Sequence, residues 1–198
     1  MKIIVVGGTG TLGSKVSDAF SKKHEVIRVG KTRGDLQADI TNETSIQKLF
    51  EEVGAFDALI STSGQGHFAP VSKMTSARFK DSLLDKLMGQ INLVLLGQHF
   101  INPAGSFTLT SGILAEHPVA AASALSTING GINSFVLAAA PELQNSVRIN
   151  AVSPNVVEDS PSYFDAFPGE IPVSMDQVVK AFEKSVLGIS TGQVIKVY

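Results

Sequence analysis

Short apolar runs alternate with longer amphipathic segments along the whole chain. Seven of these runs predict strands: 3–6, 26–29, 36–40, 56–60, 106–110, 147–152 and 193–197. The segments between them that predict helices are 11–23, 42–53, 83–101, 119–140 and 176–187. Strands that alternate with helices in this way form a parallel sheet with helices on both faces. The pattern therefore predicts a doubly wound Rossmann fold, a three-layer α/β/α sandwich whose mostly parallel sheet has about seven strands.

The composition is that of one globular domain and excludes several classes of protein. With 198 residues, 43% hydrophobic and 17% charged, the chain is predicted to form a single domain over residues 1–198. A net charge of −2 gives no support for nucleic-acid binding, and the absence of cysteine removes disulfides and thiolate sites. The four histidines lack the spacing of metal ligands, so we expect no metal. No signal peptide or membrane-length apolar run is evident, and we expect a cytoplasmic protein.

A glycine-rich turn stands where the first predicted strand passes into the first helix. Its glycines Gly7, Gly10 and Gly13 are three residues apart. Such glycines allow a tight turn, close backbone approach to a pyrophosphate, and close packing of helix on strand. The cofactor phosphates would meet free N–H groups at the helix N-terminus, and Thr9, Thr11 and Leu12 complete the turn. The context predicts dinucleotide binding; the alternative is a glycine turn without a ligand.

The end of the second strand indicates which dinucleotide is bound. An acid at that place would bind the ribose 2′-hydroxyl of NAD, but the position is Gly30. Lys31 and Arg33 follow it and suit the 2′-phosphate of NADP, so we expect NADP, with NAD the less favoured cofactor. Two observations leave the alternative open: these cations also fit a solvated basic loop, and Asp35 could repel a phosphate.

With these residues in place, the chain resembles the short-chain dehydrogenase/reductase family over nearly its whole length. The matching segments are the glycine turn, Ala38–Thr41, Ile60–Gly64, Asn92, Leu109–Ser111, Arg148–Pro154 and Thr191–Ile195. The resemblance implies an NADP(H)-binding oxidoreductase. It implies cofactor contacts from Asp39, Ile40, Ser61, Thr62, Ser63, Gly64 and Pro154. It also implies that Ser111 takes the place of the catalytic serine and Asn92 that of an active-site asparagine.

The departure from the family lies in its catalytic Tyr-x-x-x-Lys motif. By count along the chain, Ser123 stands at the tyrosine position and Thr127 at the lysine position. The chain has only two tyrosines, Tyr163 and Tyr198, and neither is near this segment. A serine hydroxyl is too weak an acid to replace a tyrosine activated by lysine. The expected proton donor is therefore missing.

Three features stay open at this point. His117 is the best substitute catalyst by position and His67 the second, although the pattern favours an ordinary loop histidine for each. The proline-rich segment 154–174 is either a substrate lid or a passive surface excursion. The resemblance implies a homodimer or homotetramer built through the two long helices.

Two functions from different classes follow. One is an oxidoreductase with a divergent active site formed by Ser111, Asn92 and His117. The other is a non-catalytic dinucleotide-sensing or regulatory module. A methyltransferase-type Rossmann domain is a weaker third possibility, because it does not explain the matches at Asn92, Ser111 and the last strand.

Overall fold

The computed structural model describes all 198 residues and contains one seven-stranded sheet. The strands are β1 Lys2–Val6, β2 Glu25–Gly30, β3 Leu36–Gln37, β4 Phe56–Ser61, β5 Ile101–Thr110, β6 Arg148–Pro154 and β7 Gln193–Val197. They lie in the order β3-β2-β1-β4-β5-β6-β7, and every neighbouring pair is parallel. The order reverses direction between β1 and β4, which is where ligands bind in open α/β sheets.

The structure has six α-helices, and the longer ones cover the two faces of the sheet. They are α1 Thr11–Ser21, α2 Glu43–Val53, α3 Ser76–Ser82, α4 Gly89–Gly97, α5 Ser123–Ala139 and α6 Met175–Leu187. Asn42 caps α2 by accepting a hydrogen bond from the backbone N–H of Ser45, and Ser174 begins α6 in a capping box with Gln177. No helix is long and apolar enough to cross a membrane.

The central strand β1 shows how the sequence builds two cores. Ile4 and Val6 pack into the hydrophobic layer on one face of the sheet, whereas Ile3 and Val5 pack into the layer on the other. Successive side chains of a strand point to opposite faces, so a continuous apolar run is needed wherever both faces are covered. The expected doubly wound α/β/α sandwich is confirmed.

The predicted helix over 83–101 is the element that differs most from expectation. Helical structure begins earlier, at Ser76, and ends at Gly97, while Ile101 already belongs to β5. Between α3 and α4 the residues Leu83–Met88 form a π-helical turn, in which the Gly89 N–H donates to the carbonyl of Leu84. Single π-turns inside helices occur often at functional sites. This turn places the side chain of Lys86, on which the candidate site depends.

The segment 154–174 is packed against the domain. It contains a 3₁₀ helix, Pro161–Ala166, and a bridge between Val157 and Val173. Val156 and Phe167 are buried in a small apolar cluster with Leu125 of α5. The segment therefore forms a wall beside the carboxyl ends of the central strands.

Candidate functional site

Two cavities adjoin at the carboxyl edge of the sheet and share Gly64 and Gln65. The larger cavity, about 420 Å³, lies beside Thr11, Leu12 and Ser111. The smaller cavity, about 320 Å³, lies beside Gly7, Gly30 and Asp39. We call them the inner cavity and the ribose-side cavity. Together they form a cleft that runs past the glycine turn at the place where the strand order reverses.

Packing within the protein requires two of the three glycines in the turn. Gly7 has a φ of +82°, and a Cβ there would lie 2.8 Å from Thr62 Oγ1. A Cβ on Gly13 would lie 2.0 Å from the carbonyl oxygen of Gly7. Helix α1 therefore sits so close to the turn that no side chain fits between them.

Gly10 differs, because no packing inside the protein requires a glycine there. Its φ of −82° is open to any residue, and a Cβ would meet only the Gly7 carbonyl oxygen, at 3.4 Å. The N–H groups of Thr11, Leu12 and Gly13 begin α1 and donate no hydrogen bond within the protein, whereas Ser14 N–H donates to the Gly10 carbonyl. The open space and the free donors suit a phosphate lying against this turn.

Of the two cations that suggested NADP, Lys31 lines the ribose-side cavity and Arg33 contacts Thr9 of the glycine turn. Lys31 Nζ is 2.8 Å from Asp39 Oδ2, and Arg33 Nη2 donates to the Thr9 carbonyl at 3.0 Å. Thr41 donates through its backbone N–H and its hydroxyl to Asp39 Oδ1. The hydrogen bonds from Lys31 and Thr41 lower the pKa of Asp39 to about 2. Asp39 thus partly neutralises Lys31, while Arg33 has no carboxylate partner.

Two further features at the end of β2 bear on which cofactor the protein binds. A Cβ on Gly30 would lie 2.3 Å from the Arg33 carbonyl oxygen, so the local backbone excludes the acid that would bind a ribose 2′-hydroxyl. Asp35 Oδ2 accepts a hydrogen bond from the backbone N–H of Arg28, which holds its carboxylate on β2.

The segment after β4 connects the two cavities. Ser61 is buried, and its hydroxyl is 3.0 Å from that of Ser63. Thr62 bonds to Val6 through its backbone N–H and hydroxyl. Gly64 has a φ of +99°, and a Cβ there would lie 2.6 Å from the Cα of Lys86. Of the other residues named from the resemblance, Ile40 lines the ribose-side cavity and Pro154 the inner cavity.

Lys86, in the π-helical turn, lines the inner cavity and was not anticipated from the sequence. Its ammonium donates to the Ser111 carbonyl at 3.1 Å and to Asn129 Oδ1 at 2.9 Å. No carboxylate lies within salt-bridge distance of it. Burial lowers the pKa of Lys86 to about 8, because desolvation disfavours the charged form. An ammonium has three N–H donors, so one is left for a ligand.

The neighbours of Lys86 hold the inner wall of this cavity together. Gln90 donates to the Thr110 carbonyl at 3.0 Å and accepts from the Thr110 N–H at 2.8 Å, which ties α4 to the end of β5. Asn129 of α5 also donates to the Gly112 carbonyl, at 3.3 Å. Ser111 follows Thr110 on the cavity wall, and its Oγ is buried without a hydrogen-bond partner.

The structure does not bring Asn92 or the histidines to this wall. Asn92 is buried six residues beyond Lys86, about one and two-thirds helical turns further along, and it does not line the inner cavity. His117 lies outside it as well: its Nδ1 is 3.0 Å from Glu170 Oε1 and its ring packs near Tyr198. His67 likewise lines neither cavity. Of the three residues expected to be catalytic, only Ser111 lines the inner cavity, together with Lys86 and Tyr163.

The register of α5 also differs from the count along the chain. Leu125 and Asn129, one helical turn apart, face the inner cavity, whereas Ser123 is the first residue of the helix and Thr127 is exposed. The Thr127 hydroxyl donates to the Ser123 carbonyl, a contact within the helix itself. The cavity-facing pair on α5 is thus Leu-x-x-x-Asn, and a Tyr–Lys pair is absent in this register as in the expected one.

A sequence signal for Lys86 did exist. Lys86 and Gln90 are four residues apart, the spacing that puts two side chains on one helical face, and Gln90 is fully buried. A charged residue on the buried face of an apolar helix needs a partner or a function.

Comparisons with known proteins agree with the fold. Residues 11–171 match a family model described as enoyl-(acyl carrier protein) reductase. The protein lin1944 from Listeria innocua is 45% identical in sequence, with a TM-score of 0.98 and complete coverage of both chains. A small-chain dehydrogenase in complex with NADPH is 27% identical, with a TM-score of 0.89, over 100% of this chain and 96% of that one.

A curated relative extends the same likeness. The short-chain dehydrogenase/reductase ucsE from Acremonium sp. is 23% identical over 96% of this chain and 83% of its own length. The family model, the relatives and the seven-stranded parallel sheet agree with one another. The chain belongs to the short-chain dehydrogenase/reductase family.

Proposed function

We propose that the chain is an NADP(H)-dependent oxidoreductase whose active site departs from the family pattern. The observation that carries this proposal is the continuous cleft formed by the two cavities, with the glycine turn between its ends. When bound, the cofactor would supply hydride. The free N–H groups of α1 would hold the cofactor's phosphates, and Lys31 and Arg33 would hold its 2′-phosphate. Residues 61–64 would contact the part of the cofactor that lies between the two cavities.

The chain's own contribution to the chemistry is positioning. Ser111 would donate a hydrogen bond from its unpartnered hydroxyl to a substrate carbonyl oxygen, after a rotation about its Cα–Cβ bond. Packing of Val156, Phe167 and Leu125 closes one side of the inner cavity against water. The roles expected for Asn92 and His117 remain predictions, and their positions outside the inner cavity favour Ser111 and Lys86 as the groups that meet a substrate.

One observation favours a second candidate function. On α5 the cavity-facing residues Leu125 and Asn129 cannot donate a proton to a carbonyl oxygen as tyrosine does. A non-catalytic dinucleotide-sensing module has no need of such a donor. Turnover of NADPH in the presence of a panel of aldehydes and ketones separates the two: the oxidoreductase oxidises NADPH, whereas the sensor binds it and leaves it reduced.

The cofactor preference gives a direct test of the proposed site. NADPH should bind at least about tenfold more tightly than NADH, because a charge-assisted contact to the 2′-phosphate adds that much. Replacing Arg33 with alanine should remove most of the preference, whereas Lys31→Ala should have a smaller effect because Asp39 already neutralises Lys31. Fluorescence titration of the unmodified protein and the two variants with both cofactors measures the six affinities.

A charge far from the cleft is the control for these variants. Lys180 lies on α6 and pairs with Glu183, so Lys180→Ala should leave both affinities unchanged. Equal affinities for NADPH and NADH in the unmodified protein would overturn the NADP assignment. Binding of neither cofactor would overturn the proposed function itself.

We propose further that the chain forms a homodimer or homotetramer through α4 and α5. The outer faces of this region carry exposed apolar side chains at Leu84, Leu95 and Leu137. Light scattering after gel filtration should give a mass of two or four times the 20.8 kDa of one chain. The double variant Leu84→Asp, Leu137→Asp should give monomers, because two charges would have to be buried in the interface.

The matched control is Ile189→Asp, since Ile189 is a highly exposed apolar residue between α6 and β7. It should keep the mass of the unmodified protein. A monomeric unmodified protein would overturn the oligomer proposal and leave the cofactor proposal intact.

A further inference from the structure

The inner cavity combines a mostly apolar wall with one uncompensated cation. Apolar side chains of Leu12, Ile113, Leu114, Leu125, Val156 and Phe167 form much of its surface. The only ionisable residues on the wall are Lys86 and Tyr163. A cavity of about 420 Å³ with such a wall is of the size that holds a small apolar molecule.

The Lys86 ammonium would be expected to have an acidic side chain beside it as a counter-ion, but the protein places none there. Its two protein acceptors, the Ser111 carbonyl and Asn129 Oδ1, are both neutral. The nearest acid in sequence, Asp85, is engaged by the backbone N–H of Gln65 at 2.7 Å. Gly64 and Gly112, which pack against the Lys86 stem and against Asn129, add no charge. A half-buried charge without a charged partner is costly, so this cavity favours an anion that can pair with Lys86.

We infer that the substrate or ligand of the inner cavity is an apolar carbonyl compound that carries a carboxylate, and that this carboxylate pairs with Lys86. The inference rests on the proposed function, because it assigns the substrate class of the same cleft. Lys86 would take the carboxylate through its free N–H, and Ser111 would remain for the carbonyl oxygen.

The ligand pair 4-phenylbutyrate and 4-phenylbutanol tests the inference, because the two molecules differ in the carboxylate alone. Isothermal titration at pH 7 should show the acid binding at least about tenfold more tightly than the alcohol. Lys86→Met should bring the two affinities together while leaving alcohol binding in place. Lys180→Met on α6 should retain the difference, since that lysine pairs with Glu183 away from the cavity.

A second readout uses the unmodified protein and does not depend on any variant folding. Above pH 8 the affinity for 4-phenylbutyrate should fall toward that of the alcohol, by about tenfold in all, as Lys86 loses its proton, while the alcohol shows no such fall. Tyr163 is the other ionisable group on the wall, and a fall in affinity that persists in Lys86→Met would be assigned to it and not to Lys86.

The outcomes separate this inference from the proposed function. Equal affinities of the acid and the alcohol, or a difference that survives Lys86→Met, would overturn the inference. NADPH titration of the same preparations reports on the cofactor site alone. Tight NADPH binding without selectivity for the carboxylate would overturn the inference and leave the proposed function intact. Selectivity for the carboxylate without NADPH binding would overturn the cofactor proposal instead.

Discussion

Gly13→Ala should lower the free energy of unfolding by about 3 kcal/mol, the upper end of what overpacking a rigid site usually costs. The new methyl group would lie 2.0 Å from the Gly7 carbonyl oxygen and 2.5 Å from Thr62 Oγ1. Neither atom can move freely, because Gly7 accepts from the Gly10 N–H and the Thr62 hydroxyl donates to Val6. Urea denaturation followed by circular dichroism measures the change in unfolding free energy.

Gly10→Ala in the same turn is the matched control. Its methyl group meets only the Gly7 carbonyl oxygen, at 3.4 Å, and its backbone conformation is open to alanine. We expect a change in unfolding free energy of no more than about 0.5 kcal/mol, the usual limit for a site without such crowding. NADPH affinity should nevertheless fall, because the methyl group would occupy the space proposed for the phosphates. Similar losses of stability in both variants would contradict this account of the turn.

The glycine turn shows what the sequence could predict about this site. Three glycines at fixed spacing, placed directly after a buried strand, have few other structural solutions, and the structure puts them where expected. The same holds for Lys31 and Arg33, which follow the end of β2 and so must lie near the turn. These predictions depend on local geometry and on strand ends that meet at one edge of a sheet.

Lys86 and Asn129 show where sequence reasoning failed. A π-helical turn shifts the helical faces before it relative to those after it, and such a turn has no reliable pattern in the sequence. Asn92 was expected from its match to the family's active-site asparagine, whereas Lys86 is the residue of this helical segment that lines the inner cavity. The number of residues between Ser111 and Leu125, the first cavity-facing residue of α5, depends on the 3₁₀ turn Ile113–Ala115 and the connection after it. Tertiary packing fixes both registers, and periodicity alone does not.

Lys86→Met should change how the stability of the protein depends on pH. The pKa of Lys86 is about 8 in the folded chain and 10.5 in the unfolded chain, so the unfolded state binds more protons between these values. The unmodified protein should therefore gain stability as pH rises from 8 to 10.5, and the penalty for burying the charge is largest at lower pH. Between pH 7 and pH 10, it should gain about 2–3 kcal/mol relative to Lys86→Met.

Measuring the difference between the two proteins at each pH removes the titration of all other groups. Lys180→Met serves as the exposed control, and its pH dependence should follow that of the unmodified protein apart from the small effect of its pair with Glu183. Parallel stability curves for Lys86→Met and the unmodified protein would show that the ammonium is well solvated. A well-solvated Lys86 would have no need of a ligand carboxylate, so this measurement on the empty protein also bears on the inferred substrate class. A steep difference, in contrast, would mean that folding keeps an unpaired cation at the cleft at a cost in stability, which is expected of a residue retained for its ligand.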